Sequence, residues 1–141
     1  MADRTVDDYR KTYEEMLGFV PPRVAARMEQ LSQANPALLL AQEEYRHQVV
    51  YPAPDVMDQK TVQLILFSVL AAQVRDAAKL HGLAALRAGA SWDELHAALN
   101  LAALFGGFSV INRGAKVLEE VADLYQSQSH ESQDAPRNGA E

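Results

Sequence analysis

The chain contains no cysteine. Disulfides, thiolate metal sites, Fe–S clusters and thiol nucleophiles are therefore all excluded. Long hydrophobic runs are missing as well. The most apolar segment, Leu64 to Ala72, is interrupted by Ser68 and reaches about half the length that spans a bilayer. No membrane association is expected. The first residues, Met1-Ala2-Asp3-Arg4-Thr5, lead into charges rather than an apolar leader, which points to a cytoplasmic location. Positive charge is short too: 13 Lys and Arg stand against 19 Asp and Glu, for a formal net charge of -6. The basic residues are scattered, so a nucleic-acid surface is disfavoured, although a local basic pocket for a small anion remains compatible. The four histidines, His47, His81, His96 and His130, lie far apart with no H-x-x-x-H pair. No metal site and no cofactor are expected.

What is present is an all-α pattern. At 141 residues, the chain has the length of one domain with one core. No alternation of β type persists. Thr5 precedes a helix with Val6, Tyr9, Tyr13, Met16 and Leu17 at helical spacing, which Gly18 ends. Pro21-Pro22 starts a second helix carrying Val24, Met28 and Leu31, and Pro36 a third with Leu38, Leu39, Gln42, Tyr45 and Val49. Tyr51-Pro52-Ala53-Pro54 forces a break. Asp58 then caps a helix from Gln59 to Gln73 that is apolar nearly all round. Such a helix must be covered on every side, and a chain this short points to a second subunit for part of the cover.

An alanine-rich helix is expected from about Val74 to Ala88, with Ala77, Ala78, His81, Ala84, Ala85 and Ala88 on one broad face. Ser91-Trp92-Asp93-Glu94 is a capping box for the next helix, which buries Leu95, Ala98, Leu99, Ala102 and Ala103 and halts at Gly106-Gly107. A last helix from about Ser109 turns Ile111, Ala115, Leu118, Val121, Ala122 and Tyr125 inward. The result is a compact bundle of about six to seven helices over 1–125. Residues 126–141 are so poor in apolar side chains that a flexible polar tail is expected.

The stretch Asp58-Gln59-Lys60-Thr61-Val62-Gln63-Leu64, the buried helix, and then His81-Gly82-Leu83-Ala84-Ala85-Leu86-Arg87-Ala88-Gly89-Ala90 form a pattern. Asp93-Glu94-Leu95 and Phe105-Gly106-Gly107-Phe108 complete it. Together they resemble the carboxymuconolactone decarboxylase-like family, over a core of about 58–121. The resemblance implies the alkylhydroperoxidase D-like fold and self-assembly as a trimer or hexamer. One branch of that family reduces peroxides through a Cys-x-x-Cys pair just before the family histidine, helped by a Glu. The matching positions here are Val74, Ala77 and Gln63, none of which can do that chemistry. The other branch, in aromatic compound degradation, decarboxylates γ-carboxymuconolactone without thiols and keeps the histidine. This chain is closer to that branch, but lacks its tryptophan-rich stretch, reading Gln48-Val49-Val50-Tyr51-Pro52-Ala53-Pro54-Asp55 instead.

His81 is the first candidate, a general acid or base on a small apolar face. The plainer alternative is a buried histidine donating to a backbone carbonyl. Decarboxylation also needs a cation for the remaining negative charge. Arg75 and Arg113 could supply it, or be ordinary solvated side chains. Gln63 could hold a ligand or His81, and His96 stands on a polar stripe with Asp93 and Asn100. The Glu14-Glu15, Glu43-Glu44 and Glu119-Glu120 doublets read as solvated helix faces. The expected function is a cofactor-independent lyase acting on a small carboxylated lactone or related organic acid. The alternative is a non-catalytic homo-oligomeric protein that keeps the fold and binds a ligand or partner.

Overall fold

Capping side chains and prolines start most of the seven helices that run through the described residues, 3–134, of the computed structural model. Thr5 opens α1 (Val6–Leu17) with a capping box: its hydroxyl accepts from the Asp8 N–H, and the Asp8 carboxylate accepts from the Thr5 N–H at 2.8 Å. Gly18 closes the helix at φ 84°. Both α2 (Pro22–Ala34) and α3 (Pro36–Val50) begin on proline, whose missing N–H is harmless in a first turn. Asn35 accepts from the Leu38 N–H to cap α3, and Asp58 accepts from the Thr61 N–H at the start of α4 (Gln59–Ala72). After α5 (Ala78–Arg87), the Ser91–Glu94 capping box forms as expected and starts α6 (Trp92–Gly106). The last helix is α7 (Phe108–Asp134). The fold is all-α, with no strand among the described residues.

Two boundaries differ from the expectation. The alanine-rich helix begins at Ala78 rather than Val74. Val74 has φ 59°, the one positive value for a non-glycine residue among those described. A β-branched side chain crowds that backbone region, and no α-helix continues through it. At the other end α7 runs through residues 126–134, which composition assigned to the polar tail. Ser127 and Ser129 turn their hydroxyls back onto the Leu124 and Tyr125 carbonyls, and Arg87 donates to Gln128 at 3.0 Å. The remainder of that expected tail, 135–141, lies outside the described residues.

The described residues group into two compact units, one up to Val62 and one from Gln63. The first packs Tyr9, Tyr13, Met28 and Leu39 with Val6, Met16, Val20, Val24 and Leu31 around them. Its centre is charged. Glu43, 1% exposed, accepts from the Tyr13 hydroxyl at 3.1 Å through both carboxylate oxygens, and from Arg27. Arg46 stands 3.8 Å from the same carboxylate and 3.7 Å above the Tyr13 ring. A carboxylate can be buried when its charge and lone pairs are met in this way.

The reading of Glu43-Glu44 as a solvated face therefore fails at Glu43. The inward face of α3 is Leu39 and Glu43, and Leu38, Tyr45 and Val49 point outward. Burial pushes the Tyr13 hydroxyl up to about 12. The Tyr9 hydroxyl donates to Glu44, and with Gln48 and Arg4 it holds that carboxyl down to about 2. His47 lies edge-on to the Tyr9 and Tyr51 rings, its buried Nδ1 without a hydrogen-bond partner among the described residues. Burial, reinforced by the Arg4 charge, lowers its pKa.

The second unit has an apolar core of small residues and leucines: Phe67, Ala71, Ala78, Ala85, Leu95, Ala98, Leu99 and Ala102, joined by Val110, Leu118 and Val121 from α7. Ala115 and Tyr125, expected inward, are exposed. Glycine lets α7 approach closely. A Cβ added at Gly114 would fall 2.9 Å from Leu99 Cγ and nearer still to both its methyls. One added at Gly82 would meet Val121 Cγ2 at 2.9 Å.

Candidate functional site

The second unit carries two groupings of chemistry-bearing side chains. The first joins α4 to α5. Gln63, 1% exposed, stands in the first turns of α4, and His81 in the first turn of α5. His81 Nδ1 lies 2.7 Å from Gln63 Oε1. An amide oxygen only accepts, so Nδ1 carries the proton and Nε2 is the basic nitrogen of the neutral ring. The amide orients the imidazole without adding the negative charge that a carboxylate would bring. Of the alanine face expected around His81, Ala78, Ala84 and Ala85 are buried, whereas Ala77 precedes the helix and Ala88 is exposed beyond its end; the histidine itself is half-buried.

The second grouping is a cavity of about 500 Å³, within the range of small-molecule sites. Its polar lining is Arg75, Asp76, Asn112, Arg113, Lys116 and Glu120. Ala71, Val74, Ala78 and Val117 supply the apolar part. The structure thus brings Arg75, on the segment between α4 and α5, together with Arg113 on α7. Among the described residues, neither guanidinium makes an ion pair or a side-chain hydrogen bond. Glu120 is drawn to Lys79, 3.5 Å away. The left-handed Val74 sits in the cavity wall, so its strained turn helps to set where Arg75 leaves the backbone.

His81 is not among the cavity's lining residues, and neither is Gln63. It stands one helical turn beyond Ala78, which does line the cavity, a rise of about 4.5 Å along α5. His96 belongs to neither grouping. It is exposed on α6, and its carbonyl accepts from Asn100 Nδ2. The sequence reading passed over Asn112 and Lys116. A signal existed: Arg113, Lys116 and Glu120 recur at i, i+3 and i+7, one face of a helix.

The model of the carboxymuconolactone decarboxylase family matches residues 36–120. The chain belongs to the carboxymuconolactone decarboxylase family. No curated protein and no solved structure matches it. The family region begins earlier than the core of 58–121 expected from the motifs, taking in α3, and it contains Gln63, Arg75, His81, His96 and Arg113. The all-α fold is the one expected of this family. The redox branch's Cys-x-x-Cys pair is replaced by Val74 and Ala77, so this member has no thiol of its own for peroxide reduction.

Proposed function

We propose that the chain is a cofactor-independent lyase of the carboxymuconolactone decarboxylase type, acting in the cytoplasm on a small carboxylated lactone or related organic acid. The observation that carries this reading is the His81–Gln63 pair, in which a buried amide holds a half-buried imidazole in one tautomer. In the reaction, the bond between the ring carbon and the departing carboxylate breaks and carbon dioxide leaves. The electron pair stays on the substrate, spread into the conjugated lactone. His81, entering as imidazolium, gives the Nε2 proton to carbon and is recharged from solvent, so one proton is consumed per turnover. Arg75 and Arg113, in the lining of the cavity that Ala78 reaches one turn before His81 on α5, hold the carboxylate that remains. His96, exposed on α6, is left without a part in these steps.

Ultraviolet absorbance of the purified protein with γ-carboxymuconolactone tests the reading. Turnover is expected, and His81→Ala should lower kcat by about 10²-fold or more, as for loss of a general acid. Absence of turnover, or equal turnover in His81→Ala, would sink it.

A second reading has its own support. The cavity lining omits His81, and α6 with the start of α7 exposes Leu101, Leu104, Phe105 and Phe108, Phe105 at 95%. Apolar exposure of this size fits a surface covered by further copies of the chain, in a trimer or hexamer. A homo-oligomer that binds a ligand without catalysis would keep the assembly and the cavity and show no turnover. Sedimentation decides the assembly: a stable 15.5 kDa monomer contradicts it.

A further inference from the structure

The cavity holds more positive charge than anchoring one carboxylate requires. Arg75, Arg113 and Lys116 all line it. Like the two arginines, Lys116 makes no ion pair or side-chain hydrogen bond among the described residues. Two acidic residues, Asp76 and Glu120, share the lining, and Glu120 pairs with Lys79 at 3.5 Å. In a chain whose formal net charge is -6, this is a local reversal of sign. Lys116 follows Arg113 by three residues, so the two project from one face of α7, while Arg75 comes from the segment before α5. Charges of one sign gathered around a cleft raise the local concentration of counter-ions there.

We infer that Lys116 determines specificity in this cavity, completing a three-cation cradle that selects doubly over singly charged small anions. The inference rests on the proposed role of Arg75 and Arg113 as anion anchors, and adds a residue and a charge requirement to it. Two planar guanidinium forks each pair with oxygens of an anionic group, and the ammonium of Lys116 supplies a compact point charge that a single carboxylate leaves unneutralised. Asn112, beside Arg113, offers an amide N–H to the same ligand. The shared requirement is a double negative charge of small extent, which a dicarboxylate or a phosphate group could meet.

Titration calorimetry of the intact protein with succinate, propionate and inorganic phosphate tests this. At least one dianion should bind about tenfold or more tightly than propionate, and the tighter of succinate and phosphate names the chemistry. Lys116→Gln should erase most of that preference while barely changing propionate affinity, and Lys116→Arg should restore it in large part. Lys116 is exposed, so these variants keep the fold, as circular dichroism can verify. Equal affinity for propionate and both dianions, no binding by any of them, or an unchanged preference in Lys116→Gln would overturn the inference. His81→Ala separates this from the lyase reading: dianion binding should persist in that variant although turnover stops. Absent turnover with the preference intact would remove only the lyase. Turnover without the preference would remove only the role of Lys116.

Discussion

The two units of this chain solve the same problem with opposite chemistry. In the first, three helices gather around a buried carboxylate, with Tyr13, Arg27 and Arg46 satisfying Glu43. In the second, alanines, leucines and two close-packed glycines fill the core, and no charged side chain is buried among its described residues. A polar centre is specific because each partner depends on the others, and removing one strands the rest. An apolar centre of small residues depends on fit alone, and is sensitive to added volume. The lesson is that the first unit should respond to charge and acid, and the second to methyl groups.

The largest effect is expected at Glu43. Glu43→Ala leaves Arg27 and Arg46 facing each other and the Tyr13 hydroxyl unpaired, and should cost about 3 kcal/mol, the lower end for breaking a buried pair, because Arg27 is 35% exposed and Arg46 20%. Trp92, the single tryptophan, lies in the second unit, so its fluorescence reports that unit while circular dichroism reports both. A urea transition shifted in circular dichroism but not in fluorescence would sharpen the contrast. No shift in either would break it.

Gly114→Ala is the counterpart in the second unit. The new methyl must displace the buried Leu99, a penalty of about 1–3 kcal/mol, against roughly 1 kcal/mol gained in helix propensity. A net loss of about 1 kcal/mol should appear in the Trp92 transition. Increased stability instead would show that α6 and α7 are not in close contact there.

The smallest effect is pH dependence arising in the first unit. His47 has its pKa lowered in the folded state, so below the ordinary value of 6.5 the unfolded chain takes up a proton that the folded chain resists. The stability contributed is full above that value and falls as pH drops. Glu44, held down to about 2, adds stability that is present above 4.5 and is lost as pH falls toward 2. The urea midpoint should therefore drop as pH falls below 6.5, and again in stronger acid as it falls from 4.5 toward about 2. His47→Phe should flatten the first step and spare the second. A first step that survives this substitution would assign it elsewhere.

The elements that were legible in the sequence are those with strong local signals. Capping residues Thr5, Asp58 and Ser91 each make their backbone hydrogen bond, and Gly18 and Gly107 end their helices. What escaped depends on long-range pairing. Nothing in a Glu-Glu doublet says that Glu43 will meet Tyr13 and Arg27 from other helices, so a solvated face was the natural reading. Nothing in Val74 announces a left-handed backbone, since valine and alanine alike suit a continuous helix pattern. At the site, Gln63, Arg75, His81 and Arg113 could be named from motif and chemistry. Their division into a histidine–amide pair and a cation-lined cavity required coordinates, and Lys116 was overlooked because one lysine in a polar stripe carries no mark.

The turn between α6 and α7 carries a last implication. Gly107, at φ 91° and ψ 171°, occupies a backbone region that is essentially closed to every other residue, although the space around it is open. Its N–H donates to the Ala103 carbonyl, and its own carbonyl accepts from Val110. The rings of Phe105 and Phe108 are thus presented on a pinned corner rather than a floppy loop. An associating surface would meet them already in position, forfeiting little backbone entropy on contact. A single larger residue at 107 would therefore loosen that presentation without touching either ring.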